Sequence, residues 1–118
     1  PHNYPNNCVV YTGTHDNETL ISWLDNITPS ERRQVREYLN DFHSSRTELA
    51  QKIICLAMQS VGNFCIIPMQ DYLGLDNSAR MNQPSTLGKN WKWRLVPGQF
   101  SEKLQEYMKE LALRYGRQ

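Results

Sequence analysis

Two short apolar runs, Cys8-Val9-Val10 and Phe64-Cys65-Ile66-Ile67, interrupt a chain whose other apolar residues recur mostly at helical spacing. Neither run alternates with polar residues, which is the pattern of parallel-sheet strands covered on both faces. A glycine, Gly13, lets the backbone turn after the first. Pro68 ends the second, having no amide hydrogen to donate to a ladder. Thr28-Pro29-Ser30-Glu31 is a capping box: an N-cap hydroxyl, proline at the first helical position, and a glutamate placed to reach back to the cap amide. Val35, Tyr38, Leu39 and Phe42 then share one helical face, with Glu31, Arg32, Arg36 and Glu37 turned to solvent. Ser45-Arg46-Thr47-Glu48 opens another helix with a broader buried side of Leu49, Ile53, Leu56, Ala57 and Met58. Gly62 suits a left-handed residue ending that helix. A further helix is predicted to begin near Glu18. A last one is capped by Ser101, carries Leu104, Met108, Leu111 and Tyr115 on one face, and has Gly116 just past its end.

From Tyr72 to Pro97 the chain is rich in Gly, Asn, Ser and Pro, too long for an ordinary connection, and long irregular segments of compact domains tend to be functional. The order is strand, helices, strand, long loop, helix. That makes two β/α modules in one structural unit over residues 1–118, with no internal domain boundary, repeat or low-complexity segment. A chain of 118 residues falls well short of the roughly 250 of a closed β/α barrel. Two strands alone leave apolar edges that invite more sheet, and the helices' wide apolar faces need more partner surface than the chain offers. The expected missing partner is the rest of a barrel.

Composition narrows the partners. Thirteen Lys and Arg against twelve Asp and Glu leave a net charge of +1, and the basic residues are scattered, so neither nucleic acid nor an anionic membrane is expected as a partner. No positively charged region followed by an apolar stretch comes after Pro1, so no secretory signal is expected, and no apolar run approaches the roughly 20 residues that cross a bilayer. Cys8, Cys55 and Cys65 are odd in number, flanked by aliphatic residues, and form no C-x-x-C pair. They read as buried free thiols of a reducing compartment, the cytoplasm.

The candidate chemistry begins where the first strand ends. Tyr11-Thr12-Gly13-Thr14-His15-Asp16-Asn17-Glu18-Thr19 delivers His15 and Asp16 to the strand's carboxyl end, the side on which parallel α/β sheets carry their active residues. On spacing alone Asp16 could equally cap the helix near Glu18, and His15 by itself reads better as a structural histidine. Gln70 and Asp71 repeat the placement after the second strand, with a structural or capping role favoured for Asp71. An adjacent His-Asp pair also occurs in metal phosphohydrolases, but such a site needs further ligands on neighbouring helices. His2 and His43, the other two histidines, have no ligand partners at usable spacing.

Three stretches carry a resemblance: Val9-Val10-Tyr11-Thr12-Gly13-Thr14-His15-Asp16-Asn17, then Ile66-Ile67-Pro68-Met69-Gln70-Asp71, then Ala79-Arg80-Met81-Asn82 through Asn90-Trp91-Lys92-Trp93-Arg94. In that order, and in register over nearly all of the chain, they resemble the carboxyl-terminal part of 4-α-glucanotransferases, the amylomaltases or disproportionating enzymes. The resemblance implies a (β/α)8 barrel of which this chain supplies the seventh and eighth strands with their helices. It implies a retaining, cofactor-independent transfer of α-1,4-glucan segments, through a covalent ester on an aspartate, to the 4-hydroxyl of glucose or a maltooligosaccharide.

That chemistry needs a nucleophilic carboxylate and a proton-donating one about 5 to 5.5 Å apart, flanking an oxocarbenium-like transition state, and the family adds a third. On the family pattern Asp16 is the third, the transition-state stabiliser, and His15 donates a hydrogen bond to the same sugar ring. Asn82 and Asn17 are matched to substrate contacts. The family often has glycine where this chain has Ser85. The nucleophile and the acid/base fall on strands that the resemblance places before Pro1, so the chain alone is expected to be inactive. Its expected partners are α-1,4-glucans, maltooligosaccharides and the missing amino-terminal part of the barrel. Trp91 and Trp93 are expected to pack in the core or on the sheet flank rather than stack on sugars, and Arg80 and Arg94 to be ion-paired or solvated. The alternative is a non-catalytic glucan-binding module built from Trp91, Trp93 and the long loop.

Overall fold

The structure is a computed structural model that describes residues 1–118. Strands β1 (Val9–Tyr11) and β2 (Phe64–Ile66) pair in parallel, with Val9 opposite Phe64, Val10 opposite Cys65 and Tyr11 opposite Ile66. Parallel strands require a long crossover. Here it is made by α1 (Leu20–Asn26), α2 (Pro29–Leu39) and α3 (Arg46–Met58). After β2 come the short α4 (Met69–Tyr72), a 3-10 turn at Asn77–Ala79, a long irregular segment and α5 (Glu102–Arg114).

Both capping boxes form as the sequence predicts: Thr28 and Glu31, and Ser45 and Glu48, exchange side-chain and backbone hydrogen bonds. The core gathers Leu20, Ile21 and Leu24 of α1, Leu49, Ala50, Ile54 and Met58 of α3, and Leu111 of α5. On α3, Leu49, Ala57 and Met58 are buried as expected, while Ile53 and Leu56 are only half-buried and Ala50 and Ile54 take the central places. On α2 nothing is buried: Val35 and Leu39 are half-covered and Tyr38 is exposed, while Phe42, also exposed, lies past the helix end at the left-handed Asn40 and so does not share its face. Arg32 and Arg36 do not simply face solvent, since their guanidinium groups donate to the carbonyls of Leu24 and Ser44.

The strands are not covered on both faces. Val10 is buried on the helix side, whereas Val9, Tyr11, Phe64 and Ile66 stay 43%, 46%, 66% and 51% exposed. Side chains alternate along a strand, so these four apolar residues form the opposite face of the sheet, and no element of the chain packs there. The three cysteines are free but only half-buried, and burial pushes the Cys65 thiol up.

Gly62 also differs from expectation. Only Gly74, Gly88, Gly98 and Gly116 among the glycines have positive φ, so Gly62 is not a left-handed helix end. It is needed for close approach: a Cβ there would lie 2.8 Å from Cγ2 of Val10 and 2.9 Å from Sγ of Cys8. Gly116 does end α5 in the left-handed region, at φ 64°. Beyond it the Arg117 guanidinium donates to the carbonyls of Met58, Ser60 and Gly62, tying the end of α5 to the α3–β2 connection.

Between α2 and α3, the buried carboxylate of Asp41 accepts from the amides of His43 and Ser44, from the Ser44 hydroxyl and from the Lys52 ammonium. The Lys52 contact above all, then the Ser44 hydroxyl and amide, hold its carboxyl well below the usual carboxylate range. In the unfolded chain Asp41 titrates near about 3.9. Its contribution is therefore complete above that value and is lost as pH falls towards the lower folded value. Asp41→Asn is expected to lower the thermal unfolding midpoint at pH 7, with the gap to the unsubstituted protein narrowing below about pH 4. A gap that stays constant across that range would show that the carboxylate charge is not what matters.

Candidate active site

The candidate residues lie at the carboxyl ends of the two strands. Beyond β1, the Thr12 hydroxyl donates to Oδ2 of Asp71 at 2.6 Å, and Oδ1 of the same carboxylate accepts from the amide of Leu20, the first residue of α1, at 2.8 Å. Asp71 is buried. It joins the rim of β2 to that of β1 and satisfies a helix-terminal amide, the structural role favoured for it. The N-cap of α1 is Thr19, which removes the capping explanation for Asp16.

A tight turn presents His15 and Asp16. Oδ1 of Asn17 accepts from the amide of Thr14 at 2.7 Å and from its hydroxyl at 2.9 Å, and the Asn17 amide donates to Thr14 O at 3.1 Å. The Asn17 side-chain carbonyl is thus committed to closing the turn. The side chains of His15 and Asp16 stand 56% and 48% exposed, with Nε2 of His15 3.2 Å from Oδ1 of Asp16. Nδ2 of Asn82, 66 positions away, donates to that same oxygen at 2.7 Å. The structure therefore brings His15, Asp16 and Asn82 together, from a strand end and the long loop.

The loop is held on α1 and the rim. Asn77 donates its amide to Oγ of Ser22 at 2.8 Å, accepts from the Thr19 amide at 3.1 Å, and reaches Glu18 with Nδ2 at 3.2 Å. Gln70 donates to Ala79 O, and the Asn82 amide donates to His15 O at 3.0 Å. Asn90 ties the distal part together, accepting from the Gln83 amide and donating to Thr86 O. Ser85 sits at φ 62°, in the left-handed region that glycine enters without steric cost.

Trp91 is not a core residue. It is 52% exposed, adopts φ 64°, and places its ring 5.1 Å from that of His15 at an interplanar angle of 39°. For a bulky side chain such a backbone angle is an outlier. Trp93 is half-buried. Arg80 and Arg94 make no ion pair. Arg80 donates from Nη2 to Asp16 O at 2.7 Å and from Nε to Asn82 O at 2.9 Å, and Arg94 donates to the carbonyls of Trp91 and Trp93. For Arg94 the sequence carried one signal: residues 77–101 contain no Asp or Glu, so backbone carbonyls are its near acceptors along the chain.

The neighbouring carboxylates are occupied. Both oxygens of Asp71 accept hydrogen bonds, and Oε2 of Glu18 accepts from Asn26 and Asn77. Asp16 is left as one exposed carboxylate flanked by an imidazole and an amide, suited to hydrogen-bonding hydroxyl groups and to stabilising a nearby positive charge. An open groove of about 650 Å³ passes Asp16 and Arg80 and runs along β1 by Tyr11 to Trp23. No three His, Cys, Asp or Glu side chains converge as a metal site would require.

Parallel strands joined by helices, with exposed polar side chains at their carboxyl rim, define the class as an α/β protein, a class whose ligand and active sites generally lie on that rim. The 4-alpha-glucanotransferase family profile matches residues 1–99. The chain is 46% identical over 95 residues to the chloroplastic/amyloplastic 4-alpha-glucanotransferase of Oryza sativa, and 42% identical over 106 residues to the 4-alpha-glucanotransferase of Thermus thermophilus. These alignments cover 80% and 86% of this chain but 16% and 21% of the relatives. Amylomaltase from Streptococcus agalactiae, solved in complex with acarbose, superposes with a TM-score of 0.89 at 33% identity, over 99% of this chain and 23% of that one. The chain belongs to the 4-alpha-glucanotransferase family. It spans between about a sixth and a quarter of the length of these relatives.

Proposed function

We propose that this chain is the carboxyl-terminal part of the catalytic barrel of a retaining 4-α-glucanotransferase, supplying the seventh and eighth strands with their helices. The uncovered apolar face of β1 and β2 supports that reading, because in a closed barrel alternate residues of every strand point into a packed interior. The remaining strands of the barrel are the partner that would bury Val9, Tyr11, Phe64 and Ile66. The three free cysteines fit a reducing compartment, the cytoplasm or a plastid. No helix is long and apolar enough to cross a membrane.

In this reading a glucan chain lies in the groove beside Asp16. The nucleophile and the acid/base come from the preceding strands. Asp16 binds hydroxyls of the distorted sugar more strongly as positive charge develops, which lowers the barrier rather than the ground state. His15 donates to the same ring, and Asn82 both fixes Asp16 and faces the substrate. The observation that carries the proposal is the convergence of His15 and Asn82 on one oxygen, Oδ1, of the exposed Asp16 carboxylate at the strand rim. The full-length enzyme incubated with maltotriose is expected to release glucose together with longer maltooligosaccharides. Hydrolysis without chain lengthening would contradict it.

The exposed Trp91 favours a second reading, a glucan-binding module without catalysis. Calorimetric titration with maltoheptaose separates the two. Binding that survives Asp16→Ala but not Trp91→Ala, with no transfer from maltotriose, would support the module.

A further inference from the structure

We propose that Arg80 is the positioning residue that sets the aim of Asp16, an inference that rests on the glucanotransferase reading. One guanidinium joins two main-chain segments: Nη2 to Asp16 O at 2.7 Å and Nε to Asn82 O at 2.9 Å. Asn82 completes the connection, donating its side-chain amide to Oδ1 of Asp16 at 2.7 Å and its main-chain amide to His15 O at 3.0 Å. The result is a closed ring of hydrogen bonds running from Asp16 through Arg80 and Asn82 back to Asp16 and His15.

The Thr14–Asn17 bonds close the turn on either side of Asp16, but apart from the ring little holds the Asp16 peptide itself. Its own amide makes one long contact, 3.4 Å, to Oγ1 of Thr14, and the turn is exposed. Arg80 is by contrast well placed. Its amide donates to Asn77 O at 3.1 Å, and Asn77 is pinned on Ser22 and Thr19 at the start of α1. The clamp therefore transmits the position of a rigid helix to a carboxylate on a turn. Arginine is the residue for this task, because its planar group offers several donors in fixed relation and keeps its charge, whereas lysine places its donors on one nitrogen at the end of a flexible stem. Two of its three nitrogens end on the carbonyl oxygens of Asp16 and Asn82, and through them Arg80 acts on Asp16. A direct contact of Arg80 with substrate in the groove it lines would instead show as a loss in KM.

Positioning predicts a loss in kcat with little change in KM, since small misplacements of a reacting group can cost about 100-fold. In the full-length enzyme, Arg80→Lys is expected to lower kcat for maltotriose about 10- to 100-fold with KM little changed. In an Asp16→Asn background the same substitution should lower kcat no further, because nothing is left to aim. A kcat equal to that of the unsubstituted enzyme, a loss expressed only in KM, or the same fold loss in both backgrounds would overturn the proposal.

Hydrogen exchange gives a second reading that needs no activity. Arg80→Ala is expected to speed exchange of the amides of residues 14–17 while α3 is unchanged. Unchanged exchange at the turn would also overturn the clamp. Absence of transfer by the unsubstituted full-length enzyme would instead remove the glucanotransferase reading itself, and with it the catalytic purpose of the clamp.

Discussion

Asp16→Asn in the full-length enzyme is expected to lower kcat on maltotriose by at least about 10²- to 10³-fold, the scale set by removing one electrostatic stabiliser from a transition state. Maltooligosaccharide affinity should stay within a few-fold of its original value. Asparagine has the size and shape of aspartate and still presents an oxygen to Nδ2 of Asn82, so the local geometry survives. What disappears is the negative charge. A neutral sugar in the ground state loses little by that, whereas an oxocarbenium-like transition state loses its electrostatic complement, so the change falls on kcat. The measurement is kcat and KM from glucose release, set beside a calorimetric Kd for an oligosaccharide. A fall in affinity that accounts for the whole loss would contradict the role given to Asp16.

The second large effect concerns the chain by itself: 118 residues expressed alone are expected to release no glucose from maltotriose. Retaining glycosyl transfer needs two carboxyl groups about 5 to 5.5 Å apart, and on the proposed reading both belong to the preceding strands. Asp71 is buried with both oxygens occupied, and Glu18 is held by Asn26 and Asn77. On the same reading the barrel interior beneath the rim is also incomplete, with Phe64 66% and Ile66 51% exposed. Glucose release by the isolated chain, above a preparation carrying Asp16→Asn, would place the nucleophile and the acid/base inside it and sink the proposed division of the site.

Much of the fold was legible from the sequence. Capping boxes, the proline after β2, the glycine after α5 and the long loop were read from residues a few positions apart, and each has a local cause in orphan amides, missing donors or positive φ. Coverage of the strands was misread, because an unalternating apolar run states that both faces are to be buried but not which chain segment buries them. Gly62 was misread for a related reason. Glycine serves both positive φ and close approach, and only the position of Val10 and Cys8 distinguishes the two.

At the site, His15, Asp16 and Asn82 were legible through the resemblance, while Arg80 and Trp91 were not. An arginine in an irregular loop has many possible acceptors, and a tryptophan outside any helix or strand has no periodic signature to declare its exposure.

By itself, the sequence determined the local elements, the family and the residues that carry its motifs, because these depend on neighbours along the chain and on patterns that survive without coordinates. Only the tertiary structure decided that Asn82 meets Asp16 across 66 positions, that Arg80 grips both of their main chains, that Trp91 leans on His15, and that one face of the sheet is left open. Those contacts follow from how α1 and the 3-10 turn bring the loop back over the strand ends. Which donor then reaches which oxygen is a matter of ångströms in three dimensions, and no spacing along the chain encodes it.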